Sequence, residues 1–171
     1  LFLFHEVAPA MPFFLPRGAH VYNAMVEYMR SAYVDQGYEE VITPQVFDRR
    51  LFETSGHWEN YRDNMYLPTT EERLEALTGL PAEEMHQAIV QLGIKPMNCP
   101  SHCIIFGSRR RSYRELPWRV ADFGRLHRCG RGGGVDGFAR VRSFCQDDAH
   151  IFCTDELIEA EIEKFIHLFY G

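Results

Sequence analysis

Residues 123–152 read FGRLHRCGRGGGVDGFARVRSFCQDDAHIF, and this stretch decides how the rest of the chain is read. Arg125, Arg128, Arg131, Arg140 and Arg142 flank a glycine run at 132–134. Before the glycines, Phe123 and Leu126 stand among polar residues. After them, Phe138, Val141 and Phe144 lead on to Ala149, Ile151 and Phe152. The pattern predicts two antiparallel strands joined by a glycine-rich loop. Guanidinium forks at both ends of such a loop suit a polyanion such as a nucleoside triphosphate. They match phosphate oxygens in pairs and keep their charge at any physiological pH. The second strand carries Gln146, Asp147, Asp148 and His150, which suit an ammonium group or a metal. A solvated loop with a basic face accounts for the arginines alone. Arginines, an aromatic, carboxylates and a histidine in one hairpin point to a site instead.

The 171 residues make one domain of ordinary size, and 46% hydrophobic with 13% aromatic residues is enough for a packed core. Eighteen basic against 24 acidic side chains leave a net charge of −6. That balance argues against a general nucleic-acid coat and leaves room for a local basic site. No apolar run approaches the roughly 18–20 residues of a membrane span. The opening LFLF lacks a basic leader and does not read as a secretory signal. Cysteines stand at 99, 103, 129, 145 and 153, an odd number with no CxxC pair. The expectation is a reducing, cytoplasmic setting, with each thiol a small buried hydrophobe unless a further argument singles it out.

Outward from the hairpin, residues 8–18 form a proline-rich connector. Val21, Met25, Tyr28, Met29 and Tyr33 then recur at helical spacing over 19–36, and Gly37 stops the pattern. Tyr38, Val41 and Ile42 predict a short strand cut by Pro44. Proline belongs at a strand end or sheet edge, so 19–46 reads either as a dimer surface or as a plain α/β corner. Residues 48–62 predict a short helix and a turn at Ser55-Gly56, with His57, Trp58 and Tyr61 in a pocket or a core. Met65–Pro68 reads as a short strand. The glutamate-rich stretch 69–93 reads as one or two surface helices broken at Pro81, an insertion without chemistry of its own. A strand over Ile94–Met97, a turn at Asn98–Ser101 and a helix from His102 to Ser108 follow. Arg109, Arg110, Arg111 and Arg114 form its basic end. Thr154 is the expected N-cap of a last helix whose apolar face is Leu157, Ile158, Ile162, Phe165, Ile166 and Phe169.

In order along nearly the whole chain stand LPRGA at 15–19, GYEEVITPQV at 37–46, ETSGHWENYRDNMY at 53–66, KPMNCPSH at 95–102, SRRRSYRELPWRVADFG at 108–124 and RVRSFCQDDAHIFC at 140–153. With these motifs the sequence resembles the catalytic core of the class II aminoacyl-tRNA synthetases, and among them the threonyl-tRNA synthetase family. The resemblance is weaker over 67–94.

The resemblance implies an α+β fold, the antiparallel class II sheet flanked by helices, with 1–171 a single partial catalytic domain that is incomplete at its C-terminus. It implies ATP-dependent activation of threonine, with Mg2+, and transfer to threonine tRNA by a homodimer joined through 19–46. Arg128 then falls on the α-phosphate of ATP, Arg140 in the same nucleotide site, and Phe144 on the adenine. Met97, Gln146 and Asp148 fall beside threonine. Cys99 and His150 fill two of the three protein positions around a Zn2+ ion that would bind the threonine amino and hydroxyl groups. Read from the residues alone, Cys99 is a buried thiol and His150 a core histidine.

The sequence departs from that pattern at four places. The family's third zinc histidine and third class motif are expected beyond Gly171. A glutamate that helps bind the nucleotide's amino group is replaced by Gly130. A loop histidine is Asp136, and a turn glycine is Ser101. Two readings follow: a threonine–tRNA ligase core, or a degenerate, non-catalytic module that keeps the fold for dimerisation or tRNA binding.

Overall fold

The computed structural model describes residues 1–89, 91–130 and 140–170. Strands β1 (Phe2–Leu3) and β2 (Phe13–Phe14) pair antiparallel ahead of α1 (Pro16–Asp35). β3 (Glu39–Glu40) and β4 (Val46–Asp48) precede α2 (Arg49–Thr54) and α3 (His57–Tyr61). Two short helices, α4 (Glu71–Ala76) and α5 (Ala82–Ile89), occupy the glutamate-rich stretch. β5 (Leu92–Ile94) and α6 (Cys99–Gly107) lead into β6 (Trp118–Asp122), β7 (Arg125–His127), β8 (Ser143–Cys145) and β9 (Asp148–Phe152). The last helix is α7 (Ile158–Tyr170).

The expected hairpin is present in two sections. β6 pairs antiparallel with β9, and β7 with β8. The glycine run, with Arg131, Asp136 and Phe138, lies outside the described residues. β6 is the centre of a three-stranded sheet ordered β3-β6-β9, in which β3 runs parallel to β6. β4 and β5 form a separate antiparallel pair.

Several boundaries differ from expectation. α1 opens at Pro16 inside the expected connector, because a proline at the first helical position gives up an N–H that has no partner there anyway. α6 opens at Cys99, so the expected turn at Asn98–Ser101 is already its first turn, with Pro100 in the position that tolerates proline. Met65–Pro68 is not a strand, although the Tyr66 carbonyl accepts from Ile94 N at 2.9 Å. The arginine run is not a helix end. α6 stops at Gly107, Arg109 pairs with Glu115 at 2.7 Å, and the Arg111 guanidinium lies 3.8 Å from the Trp118 ring centroid. Thr154 precedes a 3-10 turn at Asp155–Leu157, and its hydroxyl makes no capping bond to the backbone.

The sheet's two faces carry different chemistry, as alternation along a strand requires. Ala121, Ala149 and Ile151 face a core built with Tyr33 and Tyr38, joined by Met29, Phe123 and Leu168. α1 is thus held by the end of its apolar stripe, while Val21, Met25 and Tyr28 stay exposed. α7 sits differently from the expected amphipathic packing. Ile158, Ile162, Phe165 and Ile166 are exposed, and the buried carboxylate of Glu161 turns to Arg119 on β6. Two hydrogen bonds at 2.6 Å each make that contact.

Candidate functional site

The opposite face of β9 carries Asp148, His150 and Phe152, and α6 lies along it. Asn98 Nδ2 donates to Asp148 Oδ2 at 3.1 Å. His102 Nδ1 meets His150 Nδ1 at 2.7 Å, the rings edge to face. Phe106 stacks on Phe152 with centroids 4.3 Å apart. A four-residue step along a helix advances about 6 Å, close to a two-residue step along a strand at about 6.6 Å. Asn98, His102 and Phe106 therefore stay level with every second residue of β9. Cys99 follows Asn98 as the first residue of α6.

Behind this ladder is a buried polar cluster. Asp122, at the end of β6, accepts from the Thr43 hydroxyl at 2.7 Å and from Gly124 N at 2.6 Å. Lys95 Nζ lies 3.4 Å from Asp122 Oδ2 and 2.6 Å from Thr43 Oγ1. Burial works against the Asp122 carboxylate. The facing His102 imidazole, the bond from Thr43 and the Lys95 charge nevertheless hold its pKa below the usual range. Gly124 must lack a side chain, since a Cβ there would stand 2.7 Å from both Asp122 Oδ1 and Lys95 Nζ.

A cavity of about 880 Å³ opens beside β7 and β8. Arg128, Arg140, Phe144 and Gln146 line it, together with Arg125, Arg142, Tyr61 and the α1 residues Val21, Tyr22 and Met25. The volume suits a small organic ligand, and convergent guanidinium groups in a partly apolar cleft suit an anionic one. Arg128 is held in place there. Its Nε donates to the Pro96 carbonyl at 3.2 Å, and its guanidinium lies 5.0 Å from the Phe144 centroid and 5.8 Å from that of Tyr61.

The residues singled out from the sequence thus fall into two adjoining groups. Arg128, Arg140, Phe144 and Gln146 share the cavity. Asp148 lies against Asn98 at the head of α6 and close enough to Cys99 to raise its thiol pKa, while His150 lies against His102 one turn further on. Cys99 belongs to both neighbourhoods: burial and the Asp148 carboxylate push its thiol pKa up, while the Arg128 charge pulls it down. Met97 is half-buried, with its sulfur 3.4 Å from His57 Nε2, and it is not among the cavity's lining residues. Burial lowers the pKa of His150, against the opposing pull of Asp148, so its imidazole is neutral at physiological pH. A neutral imidazole and a cysteine sulfur that gives up its proton on binding are donors that fit zinc. Among the described residues, no three His, Cys, Asp or Glu side chains converge as a metal site. Sequence reading missed Lys95, Asn98, His102 and Asp122 as members of the site. The usable signal was the four-residue spacing of Asn98, His102 and Phe106 set against the two-residue spacing of Asp148, His150 and Phe152.

Residues 85–170 match the family model of the tRNA synthetase class II core domain (G, H, P, S and T). The chain belongs to that class II core family. It is 49% identical over 174 aligned positions to the cytoplasmic threonine–tRNA ligase of Saccharomyces cerevisiae, covering 100% of this chain and 21% of that protein. It is 48% identical to the threonine–tRNA ligase of Bdellovibrio bacteriovorus, covering 98% of this chain and 23% of that one. The chain therefore spans about a fifth of the length of these curated relatives. Among solved structures, the RNA binding domain of threonyl-tRNA synthetase from Cryptosporidium parvum superposes with a TM-score of 0.85 at 42% identity, over 99% of this chain and 38% of that one. A Giardia lamblia prolyl-tRNA synthetase in complex with prolyl-adenylate superposes with a TM-score of 0.79 at 18% identity over 99% of this chain and 32% of that one, which speaks to the shared class II fold alone. The expected α+β class II architecture is borne out.

Proposed function

We propose that this chain is part of a threonine–tRNA ligase, which activates threonine with ATP and transfers it to threonine tRNA. The observation that supports the reading is the shared cavity of Arg128, Arg140, Phe144 and Gln146, with Cys99 near enough to feel both the Arg128 and the Asp148 charge. Within it, residues 1–171 act as one partial catalytic domain, and 69–93 is a helical insertion.

In the first step a threonine carboxylate oxygen attacks the α-phosphorus of ATP, and the bond to the β-phosphate oxygen breaks to release pyrophosphate. Arg128, already fixed by Pro96 and Phe144, neutralises charge on the α-phosphate, while Arg140 holds the nucleotide and Phe144 takes the adenine face. Met97 and Gln146 line the amino-acid position, and Asp148 faces the ammonium. A magnesium ion would neutralise the remaining phosphate charge. Cys99 and His150 are two candidate ligands for zinc, which when bound would accept the threonine hydroxyl oxygen and so discriminate against the isosteric valine. In the second step a ribose hydroxyl of the tRNA attacks the adenylate carbonyl, and AMP leaves.

Dimer formation through 19–46 is supported by Tyr28, Val34 and Ile42, large apolar side chains of that segment left exposed away from the cavity lining. A cytoplasmic setting is the matching proposal, and none of the described helices is long and apolar enough to cross a membrane.

One observation favours the second reading, a non-catalytic module. Gly130 has no side chain to meet the nucleotide's amino group, where the family pattern carries a glutamate. Threonine-dependent exchange of pyrophosphate into ATP, measured on the protein at its full natural length, decides between the two. Exchange that Arg128→Ala abolishes supports the ligase. Absence of exchange in the unaltered protein leaves the module.

A further inference from the structure

His102 is fully buried and lies between two groups that determine where its proton sits. Its Nε2 faces Asp122 Oδ2 at 3.7 Å, longer than a full hydrogen bond, and has no hydrogen-bond partner among the described residues. Asp122 already receives hydrogens from Thr43 and Gly124 and sits beside Lys95, so it is a carboxylate and can only accept. The imidazole proton of His102 therefore belongs on Nε2, where a bare lone pair would otherwise oppose the carboxylate. That leaves Nδ1 as an acceptor. At 2.7 Å from it, His150 Nδ1 must be the donor. A neutral His150 with its proton on Nδ1 has its only lone pair on Nε2.

We propose that His102, oriented by Asp122, is the positioning residue that fixes the ring of His150 and leaves His150 Nε2 free to bind a metal ion. The inference rests on the zinc reading of Cys99 and His150 given above. It adds a chain of buried groups, Lys95 with Thr43, then Asp122, then His102, that keeps a ligand histidine in one tautomer and one orientation. An imidazole whose second nitrogen is held by a fixed partner binds a metal more tightly than a free one, because no ordering remains to be done at binding. The ladder of α6 on β9 provides the rigidity. Asn98 on Asp148 and Phe106 on Phe152 bracket the histidine pair one helical turn to either side.

Two polar replacements separate this role from mere core filling. His102→Asn retains a hydrogen-bonding atom near the former Nδ1 and so keeps the contact with His150. His102→Gln retains one near the former Nε2 and so keeps only the contact with Asp122. In the protein at its full natural length, zinc affinity measured against a competing chelator is expected to fall about 10–100-fold in H102Q and to stay near the unaltered value in H102N. Independently of metal, 15N-labelled histidine in the zinc-free protein should report His150 with its proton on Nδ1. Equal zinc affinity in H102Q and the unaltered protein overturns the positioning role, as does equal loss in both variants. An unaltered protein that binds no zinc overturns the metal reading and this role with it. If H102Q fails to fold, the nitrogen shifts decide, and a proton on Nε2 of His150 overturns the proposal.

Discussion

Phe106 lies flat against Phe152, their ring planes within 5° and their centroids 4.3 Å apart. This stack anchors the far end of α6 on β9, and Trp118 extends it at 5.7 Å from Phe152. The anchoring sets how far along the strand the helix sits, and so which residues of its first turn face Asp148 and His150. Phe106→Ala should cost about 2–3 kcal/mol, less than a fully buried phenylalanine because this one is half-buried. Urea denaturation measures it, and Phe106→Leu should recover part of the loss.

Lys95 and Asp122 are sealed from solvent, with 0% and 2% of their side chains exposed. Removing one charge strands the other. Lys95→Met is expected to destabilise the fold by about 3–5 kcal/mol. The double change Lys95→Met with Asp122→Asn should cost less than the sum of the single changes, and a double-mutant cycle by chemical denaturation reads the coupling. A cost near zero for Lys95→Met would show that the pair does not hold the base of the site.

The Arg119–Glu161 pair ties α7 to β6, and it makes stability depend on acid. Arg119 bonds, and Lys164 more weakly, hold the Glu161 carboxyl below its ordinary value of 4.5 despite burial. Below that value the unfolded chain takes up a proton that the folded one refuses. The pair's stabilisation is thus complete above about pH 5 and is lost as pH falls through the folded-state pKa. Glu161→Gln should lower the melting temperature at neutral pH and flatten its decline between about pH 5 and pH 3. A parallel decline in both proteins would refute the assignment.

Arg128 offers a planar fork already oriented by the Pro96 carbonyl and the Phe144 ring. A lysine keeps the charge but neither the fork nor the stacking. Arg128→Lys should reduce threonine-dependent pyrophosphate exchange about 100-fold, mostly in kcat, with folding unchanged by circular dichroism. An effect confined to KM would move Arg128 from charge stabilisation to ground-state binding.

Tyr28 stands 74% exposed on α1, beyond the part of the helix that reaches the core and outside the cavity lining. If this face joins two copies, Tyr28→Glu should convert dimer to monomer in sedimentation measurements while leaving the melting transition of the monomer intact. A dimer that persists places the interface elsewhere.

Much of the architecture was legible in residue order. The hairpin strands on either side of the glycine run, the helix after the first connector and the paired helices of 69–93 each rest on local periodicity and turn chemistry. The start of α6 was not. Asn98-Cys99-Pro100-Ser101 has the composition of a turn, and only its packing against β9 makes it helical. Nor was the tilt of α7 legible, since its most regular apolar stripe is exposed while a glutamate faces inward to meet Arg119. Hydrophobic periodicity carries no information about such a pair, formed between residues 42 positions apart.

The order of residues by itself determined the chemistry on offer: arginines around a glycine run, an aromatic and a carboxylate on the returning strand, and the motifs shared with the class II core. Tertiary structure alone decided which of these groups act on one another. Asp122, His102 and His150 come from three separate elements and meet because a helix rising about 1.5 Å per residue runs level with a strand rising about 3.3 Å. No local pattern encodes that match. It is a property of two elements packed together, and it appears only when the chain has folded.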